Sequence, residues 1–190
     1  MSTASVPRSS TPGPTSPRLF TASWIYALGI ATLGALTVVL GSGAVLAIEG
    51  PSWWHRSATG RFCNGLHLWS TELFFLFMVV HLWAKFFMAA WRGRGRPAWV
   101  TGAVAFLVAI PTAFTGYLTQ QNFDAEWIGV EAKDGLNATG LGAFFNPLDF
   151  GQMLIWHILV LALALVALTW LHLRLVRRHG IAPPIDEGPR

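Results

Sequence analysis

The sequence predicts an all-α membrane protein, a bundle of four transmembrane helices. Three observations carry that reading. The 190 residues are 53% hydrophobic and only 12% charged, four long runs are almost free of charge, and most of the basic residues fall to one side of those runs. A soluble domain ordinarily carries about 25% charged residues, so this composition leaves too little charge to clothe a water-facing shell.

The runs place the elements in order. Leu19 to Ile48 carries no Asp, Glu, Lys or Arg, which predicts a first span near 21–48, closed by "EGPS". The preceding "MSTASVPRSSTPGPTSPR" is rich in Ser, Thr and Pro without an apolar stretch, so residues 1–20 read as a disordered tail rather than a cleaved signal peptide. Phe62 to Ala84 carries only Glu72 and predicts a second span near 62–91, and "RGRGRP" separates it from a third near 98–119. A connection of about thirty residues ending in "NPLDFGQ" is long for a bundle and is expected to hold short interfacial helices. Phe150 to Leu173 predicts the fourth span near 151–176, stopped by "APP", so the transmembrane domain covers 21–178 and a short tail 179–190.

The net charge of +4 does not point to nucleic acid, because the cations have a membrane explanation. Arg8 and Arg18 precede the first span, Lys85, Arg92, Arg94 and Arg96 lie at the second connection, and Arg174, Arg177 and Arg178 follow the fourth span. The third connection instead holds Asp124, Glu126, Glu131, Asp134 and Asp149 against Lys133 alone. The positive-inside rule then puts both termini in the cytoplasm. The single cysteine, Cys63, excludes an internal disulfide and a C-x-x-C-H haem attachment.

Four histidines stand inside the spans. His67 and His81 are fourteen residues apart on the second, and His157 and His172 fifteen apart on the fourth. At 100° per residue, fourteen steps return to within about 40° and fifteen to within about 60°, so each pair shares a face, with ~21 Å of rise between its members. The two spans run the same way across the membrane, which matches His67 with His157 nearer the outside and His81 with His172 nearer the inside. An imidazole in hydrocarbon needs partners for its nitrogens. Two histidines at each of two depths suit axial coordination of haem iron better than zinc, which takes three or four protein ligands. The glycines repeat the spacing: Gly29 and Gly43 on the first span, and Gly102 and Gly116 on the third, are each fourteen apart. Glycine there lets a flat macrocycle approach the backbone. The competing reading keeps all four histidines as hydrogen-bonding residues of a haem-free four-helix channel, transporter or assembly protein.

With these residues in view, the chain resembles the N-terminal, four-helix, two-haem half of cytochrome b from quinol-oxidising cytochrome bc complexes, over roughly residues 20–184. It is most similar to the short chloroplast-type form, with "HLWS" at His67, the fifteen-residue gap, and the ending "LHLRLVRRHGIAPP". The resemblance implies two b-type haems enclosed by the bundle, with His67 and His157 ligating the outer and His81 and His172 the inner. Gly29, Gly43, Gly102 and Gly116 would be the haem-packing glycines. Arg61, with Arg56, would serve propionates at the outer end, and Lys85 and Arg177, with Arg178, would serve propionates or an inner quinone, although positive-inside anchoring explains the inner cations equally well. The implied function is transmembrane electron transfer as the cytochrome b subunit of a respiratory quinol oxidoreductase, not a complete enzyme alone. The implied partners are a separate subunit carrying the second half of cytochrome b, a Rieske iron-sulfur protein and quinone, with dimerisation left open. A two-haem membrane anchor linking quinone to a different oxidoreductase is the alternative.

The sequence departs from the family pattern at particular positions. Gln120 and Gln121 stand where the family has Pro and Trp beside its outer quinol pocket, and Asn64 stands where it has Arg. Cys63 lies at the outer end of its span, so the covalent third haem of the chloroplast form is not expected. Glu72, about 140° round the helix from His67, points away from the haem face and reads as a proton-handling group or a neutralised acid.

Overall fold

The computed structural model describes residues 18–180, and every regular element among them is helical. In chain order these are α1 (Arg18–Glu49), α2 (Pro51–Arg56), α3 (Ala58–Phe87), α4 (Arg96–Leu118), α5 (Phe123–Ala138), α6 (Phe150–Ile155) and α7 (Ala162–His179). A π-helical turn, Trp156–Leu161, joins α6 to α7 in one rod. Four segments are long and apolar enough to cross a membrane: Trp24–Glu49, Ala58–Phe87, Gly93–Leu118 and Phe150–His179. The shortest has 26 residues, about 39 Å of helix against a hydrocarbon core of about 30 Å. The expected tails, 1–20 and 179–190, lie outside the described residues except at their inner edges, where 18–20 and His179 are helical.

Local chemistry sets the boundaries. Gly50 leaves the helix at φ 79°, and Pro51 opens α2, a position where its missing N–H costs nothing. Ser57 caps α3 by accepting from the Gly60 N–H at 2.8 Å while its hydroxyl donates to the Trp53 carbonyl. The second span ends at Phe87, four residues short of the expected 91. Ala89, at φ 53°, lets its own N–H reach the Phe86 carbonyl and that of Ala90 the Lys85 carbonyl, the paired bonds of a Schellman cap. An alanine in the left-handed region gives no sequence signal for that stop. The long connection holds α5, capped by Asn122, and Asp149 caps α6 by accepting from the Gln152 N–H at 2.9 Å.

Two helix pairs build the bundle: α1 packs along α3, and α4 along the fourth rod. Hydroxyls within the spans fold back onto their own helices, as with Thr32 on Leu28, Thr71 on His67, and Thr112 on Val108, so lipid meets few unpaired polar groups. The pairs meet at a buried cluster of Leu36, Phe74, Met78, Ala105, Ala109 and Leu165, with Phe75 and Phe106 edge to face at 6.3 Å. Ala105 and Ala109 let the backbones approach there, the usual device where hydrophobic burial drives nothing.

Candidate functional site

The four histidines form two levels. His67 and His157, from opposite helix pairs, bring their ring centroids to 6.1 Å with the planes at 88°. Two imidazoles bound on opposite sides of one metal at about 2.0–2.1 Å would hold their centroids ~6.4 Å apart. His81 and His172 lie on the walls of one cavity of about 380 Å³, within the size range of cofactor pockets.

Each imidazole is seated against a glycine of its neighbouring helix. A Cβ on Gly43 would stand 2.9 Å from Cε1 of His67, on Gly29 3.2 Å from Cε1 of His81, and on Gly102 3.1 Å from Cε1 of His172. On Gly116 it would collide with His157, lying 2.8 Å from Nδ1. The helices explain the matching intervals: α1 lies antiparallel to α3, so glycines fourteen apart meet histidines fourteen apart. From the sequence these glycines were expected to admit a macrocycle; the group against each of them is the imidazole itself.

The same glycines bare a carbonyl one turn back, and the rings use it. His67 Nδ1 donates to the Val39 carbonyl at 3.0 Å, with the Ser42 hydroxyl oxygen at 3.1 Å. His157 Nδ1 donates to Thr112 and His172 Nδ1 to Ala98, both at 2.8 Å. Val39, Thr112 and Ala98 each precede their glycine by four residues. His81 Nδ1 is buried and has no hydrogen-bond partner among the described residues, although its ring sits against Gly29 as the others sit against theirs. Protonating Nδ1 in this way leaves Nε2 with its lone pair, the tautomer a metal needs. No three His, Cys, Asp or Glu converge among the described residues.

The remaining expected residues divide between the two ends. Gly29, Lys85, Gly102 and Arg177 line the cavity with His81 and His172. Arg61 sits at the other end, its guanidinium donating to the carbonyls of His55 and Arg56 at 3.4 and 3.2 Å. Trp99 also lines the cavity, and its buried indole N–H has no partner among the described residues. A cation pair and an unmet N–H at one rim suit the carboxylates of a propionate-bearing ring. The residues present therefore fit a haem.

Two family departures interlock. Asn64 Nδ2 donates to Gln120 Oε1 at 2.9 Å, and Gln120 Nε2 donates back to Asn64 Oδ1 at 3.3 Å, with Gln120 only 8% exposed. This reciprocal amide pair ties α3 to α4 one turn beyond His67. Sequence reasoning noted both positions without joining them, since residues 56 apart carry no local signal of contact.

The family model described as "Cytochrome b(N-terminal)/b6/petB" matches residues 72–189. The chain is 24% identical over 140 residues to the menaquinol:cytochrome c reductase cytochrome b subunit of Geobacillus thermodenitrificans, 67% of this chain and 62% of that one. It is 30% identical over 139 residues to the cytochrome bc complex cytochrome b subunit of Chlorobaculum thiosulfatiphilum, 66% of this chain and 32% of that one. Cytochrome b6 of Heliomicrobium gestii is 23% identical over 137 residues, 66% of this chain and 64% of that one. The chain thus spans less than two thirds of the length of these relatives. A solved structure titled "Hyperthermophilic respiratory Complex III" shares the fold at a TM-score of 0.72 and 21% identity, covering 87% of this chain and 51% of that chain.

Proposed function

Since the chain belongs to the cytochrome b (N-terminal)/b6 family, an integral membrane family of haem-bearing electron carriers, we propose that it carries electrons across the bilayer through two bis-histidine b haems. His67 and His157 would hold one, and His81 and His172 the other. The observation that carries this reading is the fourfold repeat of one seat, an imidazole packed on a glycine, with Nδ1 bonded to the carbonyl four residues back in three of the four. Helix packing alone explains one such seat; four, at two levels between the helix pairs, are what two bis-histidine haems would require.

A bound haem supplies a one-electron couple within hydrocarbon. The protein's part is to hold and tune it. The carbonyl bonds fix each ring's tautomer and raise its basicity as a ligand. Lys85, Arg177 and the Trp99 indole N–H would hold propionates at the 81/172 end, and Gly29, Gly43, Gly102 and Gly116 keep the imidazoles from being pushed into the slot. Between the levels lies the cluster around Leu36, Phe74, Ala109 and Leu165, each about seven residues from the nearest ligand or glycine on its own helix. It is a dry partition that keeps water from the path.

The positive end of the bundle, with Lys85, Arg92, Arg94, Arg96, Arg174, Arg177 and Arg178, would face the cytoplasm along with both termini. The chain would serve as the cytochrome b subunit of a quinol-oxidising complex, alongside a polypeptide supplying the second half of cytochrome b and a Rieske iron-sulfur protein. The Asn64–Gln120 pair, placed where the family shapes its outer quinol pocket, favours one further reading: a two-haem anchor exchanging electrons between quinone and another oxidoreductase.

The test is direct. His81→Ala should lose one haem of two, halving the pyridine haemochrome yield per protein while a b-type α-band remains. An unchanged yield, or no α-band in the unmodified protein, overturns the assignment.

A further inference from the structure

Glu72 stands at the centre of the second span, fourteen residues from Ala58 and fifteen from Phe87, with about 21 Å of helix on either side. Half of the hydrocarbon core is ~15 Å thick, so this short side chain cannot reach the headgroups. It is exposed, and no described residue donates to its carboxyl. It lies three residues, about 60° of arc, from Phe75, the residue that meets Phe106 of α4, so it opens beside the thin junction of α3 and α4. Around it the outward face of α3 is wholly apolar, with Leu66, Trp69, Leu73, Leu76, Val80 and Trp83 all exposed. Lipid covers such a face without cost, but it leaves a carboxyl at mid-depth with nothing to bond.

We propose that Glu72 accepts an interhelical hydrogen bond from a transmembrane helix of another subunit, which seats against Trp69 and Leu76 and presents a basic or amide side chain at mid-depth. A second copy of this chain does not answer the requirement. Its described spans carry no Lys, Arg, Asn or Gln near mid-depth, and the four half-buried imidazoles face the neighbouring helix's glycines. The exposed Thr37 hydroxyl is already given to the Leu33 carbonyl. The proposal rests on the membrane placement and on the assembly proposed above, not on the number of haems.

The experiment uses the tagged chain purified in mild detergent from the membranes that make it. A photoreactive benzoylphenylalanine at Trp69 or Leu76 should cross-link to an apolar segment of a different subunit, with a Lys, Arg, His, Asn or Gln within one turn of the linked residue by mass spectrometry. Glu72→Leu should lower retention of that subunit roughly tenfold, the scale of an interhelical hydrogen bond in a membrane, while Glu72→Gln retains it to within about twofold. Haem content per chain should stay unchanged in both variants, which separates this idea from the ligand assignment. Cross-links to lipid alone or to a second copy overturn it, and so does full retention of the subunit in Glu72→Leu with equal or higher thermal stability.

Discussion

Four glycines seat the imidazoles, and their tolerances for a larger residue differ in a measurable way. A methyl on Gly29 or Gly102 would sit 3.2 or 3.1 Å from an imidazole carbon, a gap that a shift of a few tenths of an ångström opens. A methyl on Gly116 would overlap the His157 ring, which is pinned through Nδ1 to Thr112. Overpacking of this kind costs about 1–3 kcal/mol, and the imidazole can relieve it only by moving into the space between His67 and His157. Gly116→Ala should therefore lose the 67/157 haem and halve the haem yield, whereas Gly29→Ala should keep both haems and shift only the redox potential of the 81/172 centre. Equal haem loss in the two variants would mean the glycines act through helix packing in general. The two levels of imidazoles and the glycines against them were legible in the sequence because fourteen-residue spacing is a helical signature. The carbonyl seats were not, since backbone acceptors have no residue code.

At the scale of the element, the fourth rod answers a discrepancy that spacing alone left open. Its histidines are fifteen apart where those of α3 are fourteen, and a regular helix would turn the extra residue into a rotation of about 100°. The π-turn Trp156–Leu161 absorbs it, with the Ala162 N–H donating to the His157 carbonyl five residues back. One added residue is stored as a wider turn, and His172 meets Gly102 as squarely as His81 meets Gly29. Deleting Val160 should then convert the turn to plain α-helix, set the interval to fourteen, and leave both haems bound. Deleting Leu76 from α3 has no such slack, and should swing His81 off the slot and halve the haem yield. Loss of haem on removing Val160 would show that the wide turn itself is required. Pattern reasoning located every span within a few residues, yet the π-turn, the short α2 and the Ala89 stop escaped it. The π-turn and the Ala89 stop depend on backbone states that ordinary residues adopt only under tertiary constraint, whereas Gly50 and Pro51 marked α2 but were read only as a breaker.

For the whole molecule, the sequence carried the number of spans and the two depths of imidazoles, because charge exclusion and helical period are local properties. Which pairs of helices pack tightly, and what separates the two levels, emerged only with the contacts. Phe74, 4% exposed, fills the centre of the partition with Leu36, Met78, Ala105, Ala109 and Leu165, between His67 and His81 on its own helix. In a soluble core a Phe→Ala change costs about 3–5 kcal/mol, part of it the transfer of the ring from water. Inside a bilayer the transfer part largely vanishes, since lipid is as apolar as the core, and the cavity part remains. Phe74→Ala should thus destabilise the bundle by about 2–3 kcal/mol, less than a soluble core would lose. Because the ring sits midway between the levels, both haems should become labile together on heating in detergent, followed by their absorbance bands against helix content. Phe74→Leu, which refills most of the cavity, should recover most of the loss. If one haem left well before the other in Phe74→Ala, the cluster would belong to a single level, and the two pairs of helices would not be joined at their midpoint as the packing requires.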